Sequence, residues 1–597
     1  MRENRIMAAC QKLRKKREQS HKGDNMSKHV VIIGGVALGP KAACRMKRLD
    51  PDIQVTMIDR DSYISYGGCG IPYYVGGDVT EIEGLCSTSA HVVRDTNYFE
   101  RVKGISVLTQ TEALVIDRPN KAIRIRNLIQ QTEDKITYDQ LVLGLGASPI
   151  IPEIPGIELP GVTAVTNLHQ AEKIKTLVSK GKVSRAVIIG GGAIGIEMAE
   201  ALTDLWGVET TLIEMLDQLL PTSFGPDMAR AIESHMKENG VNLRLNEAVT
   251  KIVGTPEKGV QGVETNASNI PCDLVIMAVG VRPNTNMAKS AGLPVGRFGG
   301  LIVDNSLRTV DPDIYAGGDC IEMTNLITGQ CHPLPLGSLA NRHGRIIGTN
   351  IVGGCEQFKG TVGSFCLKVF EMGIARAGIT VKQAQKAGFD PIHTVVLQGD
   401  RAHFYPSMEL MAIKLIADRR TRQILGIEAI GKGGDAVKAR VDAVAAILPH
   451  KPLISDISNL EVAYAPPYAS AMDIINAAGN SLENILEGRQ RPIDTIDFLD
   501  AFKKGDIRVL DVRSPVQAGP FVEKYGDRWI NIDQMELKQQ LSTVPGNESL
   551  MLVCGSGARS YEAQLLLKSE GINANTQNIQ GGIGMIKFSE PEFLPKE

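Results

Sequence analysis

Two cysteines stand in settings suited to sulfur chemistry. Cys554 opens the run Cys554-Gly-Ser-Gly-Ala-Arg559, directly behind an apolar stretch that ends at Val553. A glycine-rich loop of this kind ahead of a helix can turn backbone N–H groups and the helix N-terminus toward the thiol, a setting that stabilises an anion on sulfur. Arg559 closes the loop as a contact for an anionic substrate. Cys69 lies in the turn Ser65-Tyr-Gly-Gly-Cys69-Gly-Ile-Pro-Tyr73, rich in glycine and shortly after an acid, Asp59. The other cysteines are at 10, 44, 86, 272, 320, 331, 355 and 366, and no pair has C-x2-C or C-x4-C spacing. That argues against zinc ribbons, thioredoxin-type motifs and a local redox disulfide. These remaining thiols, Cys86 included, read as structural residues of a protein kept in a reducing cytoplasm. No metal site is expected.

Two glycine loops could hold phosphates. Gly190-Gly191-Gly192-Ala193-Ile194-Gly195 fits G-x-G-x-x-G between an apolar strand and a helix. Gly190, Gly192 and Gly195 allow the tight turn, the approach of a pyrophosphate and close helix packing, and the helix N-terminus supplies N–H groups. Glu214 follows at the end of the next strand, where a carboxylate accepts from both adenosine ribose hydroxyls and repels a 2′-phosphate. With Met215 and Leu216 beside it, NADH is expected in preference to NADPH. The first loop runs Gly34-Gly35-Val36-Ala37-Leu38-Gly39, with Val36 where the second glycine is usual. Gly34 and Gly39, with Asp59 at the matching offset, mark a second dinucleotide, read as FAD.

The elements that position these residues follow from pattern and composition. At roughly 150 residues per domain, 597 residues suggest about four domains. The chain is 43% hydrophobic and 22% charged, which excludes wholesale disorder. Lys+Arg of 65 against Asp+Glu of 67 gives no global field for nucleic acid or an anionic membrane. No apolar run reaches the roughly 18 residues of a transmembrane helix. Residues 29–59 and 185–214 each read strand–helix–strand. Residues 360–431 are strand-rich, with an alternation at 411–416 that predicts an antiparallel sheet. Residues 436–448 are helical, and the polar segment 479–494 reads as a linker. A small α/β unit follows, with strands at 507–512 and 550–553 and a helix from Ser560. Residues 1–28 are basic, from Arg14 to Arg17 above all, and read as a solvated extension with no apolar signal segment.

Three further segments, Tyr138–Pro149, Asp273–Asn284 and Thr309–Asp319, complete a resemblance. Over residues 29 to about 475 the chain resembles the two-dinucleotide-domain flavoprotein disulfide reductases, and Asp319 matches the acid that holds the ribityl chain of FAD. The lone Cys69 is similar to that of the single-cysteine branch: coenzyme A-disulfide reductases, NADH peroxidases and oxidases, and persulfide or polysulfide reductases. Peroxidases and oxidases typically carry a His in the first loop, and Ala37 stands there, so coenzyme A disulfide and persulfide chemistry is favoured. The resemblance implies coenzyme A contacts at Arg48, at Ser65 and, in Ala340-Asn-Arg342-His-Gly-Arg345, at Arg342. Lys41 and Arg45 fit a solvated helix face as well as phosphate contacts. Tyr405 and Tyr464, the latter in Tyr464-Ala-Pro-Pro-Tyr468, match tyrosines that reach the partner's active cysteine, which implies a homodimer. Glu197 is retained on the NAD-loop helix, but Ala193 stands where an aromatic commonly covers the flavin, so a more open nicotinamide site is expected. Gly68 replaces an Asn found in some coenzyme A-disulfide reductases.

The C-terminal unit resembles a rhodanese domain, whose loop is one residue shorter than that of related phosphatases. The fold expected is thus α/β: two Rossmann-like domains, FAD over 29–146 and 273–346 and NAD(P) over 147–272, an α+β dimerisation domain over 347–478, and an α/β rhodanese domain over 495–597. The implied enzyme is an NADH-dependent flavoprotein that reduces coenzyme A persulfide or disulfide, or polysulfide, with sulfane sulfur delivered by Cys554. A small thiol or persulfide substrate is expected, and neither nucleic acid nor a membrane as partner. The rival readings are an NADH oxidase or peroxidase working through a Cys69 sulfenate, and a redox-sensing or sulfur-binding module.

Overall fold

The computed structural model describes residues 27–596 except 506, 547, 573 and 574, so the basic extension read at 1–28 lies almost wholly outside the described residues. The chain forms two compact units. The first is built from the described residues up to Glu153 with Val162–Val183 and Ile276–Thr361. Its sheet is parallel and runs, in order, Ile314–Ala316, Gln140–Leu143, His29–Ile33, Gln54–Ile58 and Ser106–Leu108. The strands read as apolar runs because both faces are covered, and Val30, Val31, Ile32, Met57, Leu141 and Val142 are fully buried. The helices Leu38–Leu49 and Gly337–Ile351 pack closely, and glycines permit it. A Cβ on Gly344 would lie 2.5 Å from the Leu38 carbonyl oxygen, and one on Gly348 2.7 Å from that of Ala42.

Part of the span read as the NAD(P) domain packs with this first unit. Helix Leu168–Ser179 sends Lys175 Nζ to the Val79 and Thr80 carbonyls at 3.1 and 2.8 Å, and over the Tyr74 ring at 3.9 Å. His169 Nε2 meets Asp61 at 2.8 Å.

The second unit comprises Ile154–Gly161, Ser184–Val275 and the described residues from Val362 on. Strands Arg185–Ile189, Glu209–Glu214 and Asn242–Leu245 pair in parallel, with helix Ala193–Thr203 between the first two. The antiparallel sheet expected over 360–431 is present, in the order Phe365–Val369, Met372–Gly378, Ile424–Lys432, Leu410–Asp418, Pro391–Gly399. A buried ion pair and a buried hydrogen bond join the nucleotide-binding part to this sheet: Lys414 Nζ meets Asp227 at 2.8 Å, and Glu428 accepts from the Gly225 amide at 2.8 Å. The segment read as a linker is helical through Leu486, because Ile474, Ile475, Ala478 and Leu482 bury one face of the helix Ile474–Leu486. Asn480, Ser481, Glu483 and Asn484 interrupt that face, which masked the periodicity. A five-stranded parallel sheet then follows in the order Pro492–Ile493, Thr576–Ile579, Leu550–Val553, Arg508–Asp511, Trp529–Asn531. Among the described residues no helix is long and apolar enough to cross a membrane.

Candidate active site

The two glycine loops share one hydrogen-bond plan. Asp59 Oδ2 accepts from the Gly35 amide at 2.6 Å and Oδ1 from the Asp61 amide at 2.9 Å. Glu214 Oε2 accepts from Gly191 at 2.7 Å and Oε1 from Leu216 at 2.9 Å. In each case the acid ties down the second residue of its loop and the residue two past itself. Gly34 and Gly190 adopt nearly the same left-handed φ, 111° and 113°. A Cβ on Gly39 would lie 1.9 Å from the Gly34 carbonyl oxygen, so that helix meets its strand backbone to backbone. Gly192 faces open space, where a Cβ would meet nothing within 4 Å. Room at the start of an 11-residue helix fits the approach of a pyrophosphate. Gly195 is buried on that helix and Glu197 half-buried.

The first unit also fits the rest of FAD. Asp319 follows strand Ile314–Ala316 in the turn Gly318–Cys320, and burial pushes its carboxyl up to about 6. No hydrogen bond among the described residues reaches that carboxylate, which suits it to accept from a hydroxyl chain. Burial likewise raises the Asp59 carboxyl. His343, fully buried on helix Gly337–Ile351, supports the Asp319 turn. Its Nδ1 accepts from the Gly318 amide at 3.0 Å, and its ring packs edge-on to Phe358 at 4.3 Å. Burial, with Arg342 beside it, lowers its pKa to about 4, so it is neutral with the proton on Nε2.

Cys69 is exposed in the turn Gly68–Gly70. A Cβ on Gly337 would lie 3.4 Å from its Sγ. The thiol therefore sits at the first residue of a 15-residue helix, where unpaired amides and the helix dipole favour an anion. Ser65 ties this turn to the first loop: its amide donates to the Gly35 carbonyl at 2.7 Å, in a left-handed conformation (φ 51°). Cys86 is buried nearby in sequence, and burial raises its thiol.

In the C-terminal unit Cys554 is buried at the end of strand Leu550–Val553. Its Sγ accepts from the Gly557 amide at 3.1 Å and from Ser560 Oγ at 3.5 Å. Asn578 Nδ2 holds Ser560 Oγ at 2.7 Å. Helix Ala558–Ser569 starts at the loop, and Arg559 is half-buried there.

Comparison with known proteins matches this arrangement. The model for pyridine nucleotide-disulphide oxidoreductases matches residues 28–334, and that for their dimerisation domain matches 365–474. A Pyrococcus horikoshii protein described as NAD(P)H coenzyme A polysulfide/persulfide reductase is 34% identical over 451 residues, 76% of this chain and 97% of the relative. The chain belongs to the pyridine nucleotide-disulphide oxidoreductases. A solved NAD-dependent persulfide reductase from A. fulgidus is 38% identical at a TM-score of 0.88, covering 93% of this chain and 99% of that one. The reduced Bacillus anthracis CoADR-RHD is 31% identical at 0.86, covering 96% and 100%. This oxidoreductase therefore has two Rossmann-type α/β domains, a dimerisation domain and a rhodanese-like C-terminal domain, and the family uses FAD and NAD(P)H.

The oxidoreductase's remaining site candidates fall into groups. Lys41 and Arg48 are exposed on helix Leu38–Leu49, whereas Arg45 donates to Thr349 Oγ1 at 3.0 Å and lies 3.9 Å from Glu356. Burial pushes the Cys44 thiol on this helix up, against the pull of Arg48, Lys103, Lys41 and Arg94. Lys103 and Arg94 thus act on this thiol from outside the helix, which sequence reading missed because no local motif marks them, and Arg94 is itself held by the Cys86 and Leu85 carbonyls at 3.1 and 3.3 Å. Arg342 is exposed, 5.5 Å from the Phe358 ring centre. Tyr405 is half-buried and Tyr464 is 53% exposed. Their two loops are joined where the Ala402 amide donates to the Pro466 carbonyl at 3.1 Å. Arg440, also missed, clamps both loops by donating to the Asp400 and Tyr468 carbonyls at 2.9 and 3.1 Å and to Asp473 at 2.8 Å.

Proposed function

We propose that this oxidoreductase uses NADH and FAD to reduce coenzyme A persulfide or disulfide, or polysulfide, and releases hydrosulfide or thiol. Its rhodanese domain delivers sulfane sulfur through Cys554. The observation that carries this reading is Cys69 Sγ at the first residue of helix Gly337–Ile351, in a turn tied by Ser65 to the FAD loop. Bound NADH and FAD supply the electron pair. The Cys69 thiolate attacks the inner sulfur of coenzyme A persulfide. A Cys69–S–S–coenzyme A bond forms, the persulfide S–S bond breaks, and hydrosulfide leaves with that bond's electrons. With the disulfide, the same attack expels coenzyme A thiolate. Two electrons and one proton then part the mixed disulfide into the Cys69 thiolate and coenzyme A thiol.

Lys41, Arg48 and Arg342, with Ser65, are assigned to coenzyme A, and Arg559 to the anionic sulfur donor. Arg45 is the weakest candidate, since Thr349 and Glu356 already engage it. Tyr405 and Tyr464 are assigned to the Cys69 of a second copy in a homodimer, where a phenol can protonate the leaving thiolate. Glu214, followed by Met215 and Leu216, supports NADH over NADPH. Anaerobic NADH turnover with coenzyme A persulfide, coenzyme A disulfide, polysulfide and peroxide side by side tests the reading. Turnover confined to the sulfur substrates is expected, and turnover with peroxide alone would overturn it.

A further inference from the structure

The start of helix Gly582–Ser589 lies against the backbone of the Cys554 loop. The Ile583 amide donates to the Cys554 carbonyl and the Gly584 amide to the Gly555 carbonyl, both at 2.9 Å. These are first-turn amides with no partner inside their own helix, so the loop caps the helix. Turning those two carbonyls toward the helix fixes the peptide planes from which the cradle around Cys554 Sγ is built. The fit is tight, since a Cβ on Gly582 would lie 2.4 Å from the Cys554 carbonyl oxygen.

The same helix start is held from the other side by strand Pro391–Gly399, the edge of the dimerisation-domain sheet. Gln580 Oε1 accepts from the Val395 amide at 2.5 Å, and Gln580 Nε2 donates to Asp494 Oδ1 at 2.8 Å. His393 Nε2 meets the same carboxylate at 2.9 Å. A Cβ on Gly584 would lie 2.1 Å from Leu397 Cδ2. Gln580 is 3% exposed and Asp494 is held by both neighbours, so the contact is buried rather than incidental. Burial raises the Asp494 carboxyl, but His393, Lys414 and Gln580 together outweigh it and leave the carboxyl lowered.

We propose that the reductase's own sheet edge is part of the sulfur-transfer site, with Gln580 as the positioning residue that passes its support to the Cys554 cradle. This rests on the reading of Cys554 as the sulfur-carrying thiol. The test uses the full chain with thiosulfate and cyanide. The Cys554 thiolate bonds the outer sulfur of thiosulfate and the S–S bond to sulfite breaks. Cyanide then removes that sulfur as thiocyanate and restores the thiolate. Gln580→Met removes both hydrogen bonds at similar volume. Losing both bonds predicts a roughly thirtyfold lower kcat/KM for sulfur transfer, equivalent to about 2 kcal/mol. The pH midpoint for alkylation of the Cys554 peptide, read by mass spectrometry, should rise, while NADH-dependent persulfide reduction is unchanged. Leu397→Ala, on the reductase side, should give the same direction and guards against misfolding of the first variant. An unchanged alkylation profile in both variants overturns the proposal. Cys554→Ser separates the two levels: if it transfers sulfur at the normal rate the sulfur-carrying reading fails, and if only the brace variants are silent the brace alone fails.

Discussion

Glu214 gives a sharp quantitative prediction. Its carboxylate is 8% exposed and accepts from two backbone amides, Gly191 at 2.7 Å and Leu216 at 2.9 Å. Its remaining lone pairs are the acceptors available to the adenosine ribose hydroxyls. Glu214→Gln keeps the shape, removes the charge and can satisfy only one of the two amides. Hydrogen bonds to a charged group contribute about 1.5–3 kcal/mol and neutral ones about 1, so two weakened ribose bonds, about 1–4 kcal/mol in all, lower kcat/KM for NADH roughly 5- to 900-fold. The loss should appear mainly in KM, because the ribose is bound equally in ground and transition states. NADPH responds in the opposite sense. Two unit charges about 4 Å apart at an effective dielectric of ~20 repel by about 4 kcal/mol, and the substitution removes that repulsion from the 2′-phosphate. The NADH/NADPH ratio of kcat/KM should therefore fall by more than about tenfold. Steady-state kinetics with each nucleotide at a fixed sulfur substrate reads it, with the thermal midpoint as a control on the orphaned amide. A ratio within about twofold of the parent in a folded variant would refute the reasoning.

Two more predictions follow from single side chains. His343 has a folded pKa of about 4, below its ordinary value, because burial disfavours the cation. The unfolded chain therefore binds a proton that the folded chain refuses, so stability is full above about pH 6.5 and declines as pH falls toward 4, by roughly 3 kcal/mol. His343→Gln should flatten that decline in thermal midpoint and FAD retention, and an equally steep profile would contradict the assignment. Ala193 opens the NAD-loop helix, and the resemblance to flavoprotein disulfide reductases leads us to expect a more open nicotinamide site there. Ala193→Tyr should lower NADH oxidase activity in air, and unchanged oxidase activity would remove the idea of a more open nicotinamide site.

What the sequence disclosed was local. Asp59 and Glu214 were legible because each sits at a strand end a fixed distance past its glycine loop, and backbone geometry alone brings it under the loop. The Cys554 loop was legible for the same reason. Residues joined only by tertiary packing were not. Lys103 and Arg94 act on the Cys44 thiol from separate segments, and Arg440 clamps two loops from a helix with no motif of its own. His343 lay within a segment read for Arg342, and only burial reveals its support of the Asp319 turn. Arg45 looked like its neighbours Lys41 and Arg48 until Thr349 and Glu356 were seen to engage it. The polar segment 479–494 read as a linker because Asn480, Ser481 and Asn484 hide the apolar face of helix Ile474–Leu486.

The central claim is that Cys69 is the sulfur-attacking thiol. Anaerobic NADH-dependent release of hydrosulfide from coenzyme A persulfide by Cys69→Ser tests it most directly. The account predicts that release is abolished while NADH still bleaches the bound flavin and Cys554 still transfers sulfur from thiosulfate to cyanide. Hydrosulfide release at the parent rate would contradict it.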